Sequence, residues 1–410
     1  MRIAMFTNNY KPFIGGVPIS IERLSNGLRK LGHEVVVFAP DYGVCETEEH
    51  VVRYKTIYQK NRDGLMIGNC FDSKIERQFL EGRFDVIHVH HPMISGFAAL
   101  YLGKKYGIPV AYTYHTRYEE YLHYLKFYNV MERHELSDGM ASYLKTVLVP
   151  RYMTAFANSC DLVFAPTRMM KDCLGSYGVK TETTVLPTGL EDASFIERRE
   201  IIEEIRARLK GDKTYLFCTV SRLEKEKNLE FLLRGVAEVK KRIGNCFRMM
   251  IIGEGSERER LHCLSVELGI EENLVFTGKV LNEQIRDYLF AGDLFLFASR
   301  SETQGIVLLE AMAAGTPVVA VKASGVVDVV KNGVNGYMTE ADEAAWAEAV
   351  RTIVGQPEHF RELKHSSVQT ALEYQSSRIA AMAVRGYQEM LARYKTGKII
   401  GLLRKSVRAA

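Results

Sequence analysis

Two carboxylates with seven residues between them, Glu302 and Glu310, stand in the segment SRSETQGIVLLEAMAAGTPVVAV at 299–321, where a helix opens near Gly305. Backbone N–H groups at a helix N-terminus lack intrahelical partners and carry partial positive charge, so a phosphate docks there without a dedicated side chain. Gly305 lets it come close. One carboxylate then reaches past the phosphate in one direction and the second in the other, and each can accept hydrogen bonds from a pair of hydroxyls. The competing reading makes Glu302 a neighbour of the helix cap and Glu310 part of a solvated face. Against it, Glu310 is embedded in Leu308, Leu309, Ala311 and Met312, where a carboxylate without a task is costly.

Three further groups fit the same chemistry. SRLEKEKN at 221–228 leaves the carboxyl end of a predicted strand, and its Arg222 and Lys227 are cations of the kind that neutralise a diphosphate leaving group. Such a loop is more commonly plain solvated surface. Gly15 and Gly16, ahead of Val17, follow the first strand and let backbone approach a ligand. His115, in YTYHT at 112–116, falls at the carboxyl end of a strand predicted over 110–114.

Other signals exclude chemistries. Gly253-Glu254-Gly255 begins like a dinucleotide fingerprint, but Arg258 occupies the third glycine position, so a nicotinamide enzyme is not expected. His88, His90 and His91 look like metal ligands without Asp, Glu or Cys nearby, which favours a strand-end role. No two Asp stand two residues apart, so the D-x-D clamp for a metal-bound diphosphate is missing. The seven cysteines (45, 70, 160, 173, 218, 246 and 263) are an odd, scattered set without a C-x-x-C pair, which argues against a disulfide framework and for a reducing compartment. A balance of 54 Lys+Arg against 50 Asp+Glu is too weak for a dedicated nucleic-acid binder.

The elements that must carry these residues alternate. With 410 residues, the chain exceeds what one core usually serves, and 47% hydrophobic with 25% charged residues is ordinary globular composition. Short β-branched runs at 3–6, 35–38, 86–89, 110–114 and 162–165, and again at 215–220, 249–252, 274–277, 294–298 and 318–321, alternate with helical patterns such as 19–31 and 95–106. That is the signature of parallel sheets crossed by helices. The expected architecture is α/β, two tandem doubly wound domains whose strand carboxyl ends share a cleft. The junction is placed in the charged stretch 191–208, giving domains 1–190 and 191–375, with a helix beginning near 376 that crosses back to the first.

Two regions point to a surface rather than a core. A predicted long helical region at 117–152 is crowded with aromatics and bases, and ten of the 21 Tyr fall between Tyr101 and Tyr152. Such rings either pack a helix on its domain or touch lipid headgroups. From Arg393 onward six basic and no acidic residues are interleaved with Ile399, Ile400, Leu402, Leu403 and Val407, which suits an anionic surface. A frayed soluble terminus is the alternative. The chain opens in a strand without a basic n-region or long apolar h-region, so no signal peptide is expected, and no segment reaches the ~20 apolar residues of a span.

Taken together, the Glu302 and Glu310 segment with EAMAAGTPVVA, SRLEKEKN, GGV at 15–17 and NGVNG at 332–336 resembles the retaining glycosyltransferases of family four. The resemblance covers nearly the whole chain. It implies the GT-B fold and transfer of a sugar from a nucleotide diphosphate donor, with retained anomeric configuration and without a metal or other cofactor. On the matching positions Glu310 holds the ribose diol, Glu302 the donor sugar hydroxyls, and Arg222 and Lys227 the diphosphate. His115 lies beside the donor sugar, Gly15 and Gly16 face the phosphate from the N-terminal domain, and Gly305, Ile306 and Val307 line the donor site. No covalent nucleophile is implied; attack comes from the same face, and the leaving phosphate oxygen accepts the acceptor's proton.

Within the family, YHTRYEEYLHYL at 114–125 and ETQG at 302–305 are similar to bacterial diacylglycerol glucosyltransferases, membrane-surface enzymes that use UDP-glucose. Gln304 stands where many members carry an aromatic, and Asp328 where the family usually has Glu. The implied reaction is transfer of glucose from UDP-glucose to a lipid such as diacylglycerol, at the cytoplasmic face of a membrane. A soluble or glycan acceptor, or a UDP-sugar epimerase of related fold, are the alternatives.

Overall fold

The computed structural model describes residues 1–13, 15–43, 49–59, 66–120, 138–300 and 302–409, the last twelve of these by backbone alone. The chain forms two compact units, Met1–Gly189 with Ser376–Ala410, and Leu190–Gln375.

The strands of the first unit are β1 (Arg2–Phe6), β2 (Glu34–Pro40), β3 (Val51–Tyr54), β4 (Thr56–Gln59), β5 (Met66–Gly68), β6 (Val86–Val89), β7 (Val110–Thr113), β8 (Leu162–Ala165) and β9 (Thr183–Val185). Seven of them pair side by side in the order β3-β2-β1-β6-β7-β8-β9, and every pairing is parallel. β4 and β5 form a separate antiparallel pair. Parallel strands are covered on both faces, which is why β1 reads as an unbroken apolar run with Ile3, Ala4, Met5 and Phe6 all fully buried. On one face Phe6 stacks on Phe38 with centroids 4.7 Å apart, beside Phe79 and Phe84. On the other, Ile3, Met5 and Val37 pack against Ile21 and Leu28 of the helix Gly16–Lys30 and against Ile379, Ala383 and Tyr387 of the helix Ser376–Ala409.

The second unit repeats the plan with β10 (Tyr215–Val220), β11 (Phe247–Ile252), β12 (Leu274–Gly278), β13 (Leu294–Phe297), β14 (Val318–Val321) and β15 (Gly336–Thr339). Their order is β12-β11-β10-β13-β14-β15, again all parallel. The lone Trp346 is fully buried and meets Phe231 edge-on.

All ten strands expected from the β-branched runs form, to within two residues at each end. β3, β4, β5, β9 and β15 were not anticipated, because they are only three or four residues long and their burial is partial. The charged stretch 191–208 is no bare linker: it contains most of the helix Arg199–Lys210, which buries Ile202, Ile205 and Leu209. Nor is 117–152 one uninterrupted helix. Tyr118–Glu120 is a 3₁₀ turn, residues 121–137 lie outside the described residues, and Asp138–Tyr143 runs through a π-helical stretch, Leu144–Leu148, into the helix Val149–Asn158. The helix predicted from about 376 extends to Ala409, although the side chains of the basic tail from 398 on lie outside the described residues. Among the described residues no helix is long and apolar enough to cross a membrane.

In each sheet the strand order reverses once, between β1 and β6 in the first and between β10 and β13 in the second. Loops leaving two such neighbours run apart and open a crevice at their carboxyl ends, the usual ligand position of an open parallel sheet.

Candidate functional site

In the second unit the loop after β10 is clamped by the loop after β11. Ser221 N–H donates to Ile252 O (3.1 Å), Leu223 N–H to Glu254 O (2.9 Å) and Glu257 N–H to Leu223 O (2.9 Å). The 253–255 segment, set aside as a dinucleotide fingerprint, therefore shapes the SRLEKEKN loop. That loop ends in a 3₁₀ turn, Lys225–Lys227, and turns into the next helix at Asn228, whose φ of 56° is left-handed. Asn228 Nδ2 donates to Ala298 O at 3.1 Å, which ties the exit of β10 to the exit of β13.

That tie brings Lys227 over the second loop. Lys227 Nζ lies 2.6 Å from Glu302 Oε1, and Ser299 Oγ donates to the same oxygen at 3.0 Å. Both charged side chains are largely covered, with 15% and 20% exposure. The Glu302 backbone is held as well, since Ser324 Oγ donates to Glu302 O at 2.5 Å. Gly325 sits against this turn so closely that a Cβ there would meet Glu302 Cβ at 2.7 Å and Gln304 N at 2.9 Å.

Gly305 adopts φ 67°, a left-handed conformation that favours glycine, and from it opens the helix Ile306–Ala313. Its lack of a side chain leaves the helix without a side-chain cap. The first-turn N–H groups of Ile306 and Val307 have no carbonyl one turn earlier in the helix, and they carry the positive end of its dipole. Glu310 follows Ile306 by four residues and so shares its helix face. One ammonium, one helix N-terminus and two carboxylates thus gather on consecutive turns. An ammonium has three donors, so Lys227 can keep Glu302 and still bind an anion. Arg222 is less committed: it is 57% exposed and pairs with Glu226 at 2.8 Å, an exposed contact worth at most about 1 kcal/mol and easily exchanged for a phosphate oxygen.

In the first unit Gly15 and Gly16 follow β1, at the order reversal, and His115 follows β7, the neighbour of β6. Gly15 precedes the helix Gly16–Lys30, and a Cβ at Gly16 would meet nothing within 4 Å, so the fold itself does not require glycine there. His115 follows β7, and its Nε2 lies 2.8 Å from Nδ1 of His90. Burial holds both imidazoles well below the ordinary histidine value, with the neighbouring histidines adding to it. Burial also lowers His88 to about 3 and His91 to about 4. His88 bonds to Thr113 Oγ1 (2.6 Å) and Tyr387 Oη (2.7 Å), while His91 Nδ1 accepts from Asn8 N–H (3.2 Å) and contacts Thr7 Oγ1 (3.0 Å). Among the described residues no three His, Cys, Asp or Glu are grouped to hold a metal ion.

The structure therefore joins Lys227 directly to Glu302, sets Gly305, Ile306, Val307 and Glu310 on the adjoining helix, and turns Arg222 toward its own loop. Gly15, Gly16 and His115 belong to the other unit. Sequence reasoning missed Ser299, Ser324, Asn228 and His90. Asn228 and Ser299 lay inside quoted motifs, but only strand order shows that those motifs are neighbours. NGVNG proves to be a turn around buried Asn335, whose Nδ2 donates to Val329 O and whose Oδ1 accepts from Lys331 N–H.

Comparison with known proteins matches residues 14–194 to the family described as Glycosyltransferase Family 4 and residues 200–370 to Glycosyl transferases group 1. An alpha-monoglucosyldiacylglycerol synthase of Streptococcus pneumoniae is 33% identical over 332 residues, covering 78% of this chain and 71% of the relative. One of the same name from Acholeplasma laidlawii is 29% identical over 353 residues, covering 84% and 86%. Among solved structures, Anabaena HepE in complex with UDP superposes with a TM-score of 0.73 at 19% identity, covering 95% of this chain and 100% of that one. Sucrose-phosphate synthase from Thermosynechococcus elongatus gives 0.75 at 19% identity, covering 95% and 99%. These superpositions show a shared fold, GT-B.

The packing at Gly325 and the open space at Gly16 make opposite predictions. Gly325→Ala overpacks the Glu302 turn and should destabilise the protein by about 1–3 kcal/mol, whereas Gly16→Ala should stay within about 0.5 kcal/mol. Chemical denaturation of both variants measures this, and equal losses would contradict the geometry.

Proposed function

We propose, because the chain belongs to glycosyltransferase family 4, that it transfers glucose from UDP-glucose to diacylglycerol with retention of anomeric configuration and without a metal. The observation that carries this reading is the Lys227–Glu302 pair, held at 2.6 Å beside the N-terminus of the helix Ile306–Ala313. Breaking the anomeric bond puts positive charge on the sugar and negative charge on the departing diphosphate. Fixed donors lower that barrier if they stand where the negative charge develops and need no rearrangement. Lys227 and the N–H groups of Ile306 and Val307 are such donors, and Arg222 joins them by exchanging Glu226 for a phosphate oxygen. Glu302, held in place by Lys227 and Ser299, accepts hydrogen bonds from the sugar hydroxyls, and Glu310 accepts those of the ribose. His115 is assigned to the donor sugar, and Gly15 and Gly16 to the phosphate, by the family resemblance alone. With no carboxylate assigned as nucleophile, the acceptor attacks from the face that the diphosphate leaves, and the departing oxygen takes the acceptor's proton.

The two relatives named as monoglucosyldiacylglycerol synthases favour a lipid acceptor, and their names favour transfer over epimerisation. A surface suited to lipid supports it. Phe97 and Tyr101 are 52% and 57% exposed on the helix Ser95–Tyr106, which ends in Lys104 and Lys105, and Met140, Tyr143 and Leu148 are also exposed. Aromatic and basic side chains of this kind favour the headgroup layer, and the basic tail adds about 1 kcal/mol per residue near an anionic surface. We place the enzyme on the cytoplasmic face of the membrane as a peripheral protein.

Purified protein with UDP-glucose in anionic mixed micelles should release UDP only when diacylglycerol is present. Lys227→Ala should lower kcat about 10²–10³-fold, the effect of removing one donor to developing charge. UDP release at full rate without the lipid, or unaltered turnover in the variant, contradicts the reading. Deleting residues 395–410 should abolish sedimentation with anionic vesicles while sparing UDP-glucose binding; undiminished sedimentation would remove the tail from the account.

A further inference from the structure

Phe71 is 90% exposed, the most of any large hydrophobic side chain among the described residues. Its backbone is nonetheless fixed. Asn69 N–H donates to Lys55 O at 2.7 Å, Phe71 N–H to Asn69 Oδ1 at 3.0 Å and Asp72 N–H to Asn69 O at 3.1 Å, which closes the turn after β5. Asp72 then caps the helix Ser73–Gly82 by accepting from Lys74 N–H (3.0 Å), and its other oxygen accepts from Lys55 N–H (2.8 Å). A turn bonded on both sides therefore holds a phenyl ring in water. Ile57 and Tyr58 of the adjoining strand β4 are 69% and 49% exposed. Apolar groups fixed outward together mark a contact surface.

The charges around this turn leave only cations free. Asp72 is occupied by two backbone N–H groups, and Glu76 by Lys105 and Tyr106. Lys55, Lys74 and Arg77 are exposed, and their side chains make no ion pair among the described residues. An outward phenyl ring among unpaired bases complements a partner that is anionic at its surface and apolar beneath, as a layer of lipid phosphates over acyl chains is.

The sheet also gives this surface a direction. A helix between parallel strands must return the chain to the start of the next strand, so its N-terminal end lies at the strands' carboxyl ends. Ser73–Gly82 leads back to β6 and Ser95–Tyr106 to β7. Phe71, just before the first helix, and Phe97, in the first turn of the second, therefore share the carboxyl rim of the sheet. The two helices are joined by the Lys105–Glu76 pair at 2.6 Å, and Phe97 meets Tyr152 of the helix Val149–Asn158 edge-on, with centroids 6.4 Å apart. Exposed apolar side chains strung along one rim suit a broad, flat partner.

We propose that Phe71 inserts into the acyl layer of an anionic bilayer while Lys55, Lys74 and Arg77 bind lipid phosphates, so that the crevice between β1 and β6 opens toward the membrane. This rests on the reading of the protein as a peripheral membrane enzyme and gives that enzyme a point of insertion and an orientation.

The test uses the full chain and vesicles of phosphatidylglycerol and phosphatidylcholine. In Phe71→Trp, brominated acyl chains should quench the introduced indole, with the wild type supplying the background of Trp346, which is fully buried. Phe71→Ser should weaken partition onto the vesicles about tenfold or more, the worth of burying one phenyl group. Replacing Lys55, Lys74 and Arg77 together by Gln should weaken it about 10²-fold. Thermal unfolding and UDP-glucose binding should be unaltered in all three, because these side chains lie outside the core and the donor site. Unquenched emission from a vesicle-bound Phe71→Trp protein, or undiminished partition of Phe71→Ser, overturns the insertion while leaving the membrane reading in place. A wild type that fails to sediment with the vesicles overturns both. Intact vesicle binding in Phe71→Ser with loss of a wild-type dimer would assign the surface to a second copy of the chain and overturn the proposal.

Discussion

A parallel sheet whose strand order reverses once is the constraint from which the rest follows. Adjacent strands entering from opposite sides of the order send their loops apart, and their carboxyl ends become the one place along the sheet not roofed by a crossover helix. In the second unit those ends belong to β10 and β13, and they carry SRLEKEKN and the Glu302 turn. In the first they belong to β1 and β6, and His90 with the Gly15–Gly16 pair follows from them. The Asn228 to Ala298 bond then converts two separate loops into one surface, since it stands directly beside Lys227.

The two units solve the problem of a polar site on an apolar sheet in different ways. The second uses charge and neutralises it internally: Lys227, Glu302 and Ser299 satisfy one another before any ligand arrives, which limits the penalty for covering an ion. The first uses groups that avoid charge altogether. Four histidines lie together there, burial holds them below the ordinary histidine value, and the rings of His88, His90 and His91 bond to hydroxyls, a backbone N–H or another imidazole.

Much of this was legible in the chain. The long buried strands announce themselves as β-branched runs, and glycines and charged residues just beyond them mark strand ends, so the doubly wound architecture and the residues around Glu302 and Lys227 could be read. Short strands such as β9 and β15 could not, because three or four half-buried residues carry no period to detect. Contacts between loops were equally hidden. Lys227 and Glu302 are 75 residues apart, His90 and His115 are 25, and only pairing order makes either a neighbour. His115 looked solitary and the trio at 88–91 looked like a strand end, yet they are parts of one cluster. Ser324 and Gly325 gave no signal at all, since their part is to support a backbone turn rather than to present a side chain.

The central claim, a glucosyl transfer to diacylglycerol from this donor site with retention, is tested most directly by the product. Proton NMR of the glycolipid extracted after reaction with UDP-glucose and diacylglycerol reads the anomeric configuration. The account predicts a single glucose in α-linkage to the glycerol, shown by an equatorial anomeric proton. A β-linked glycolipid, or glucose released to water with no glycolipid formed, would contradict it.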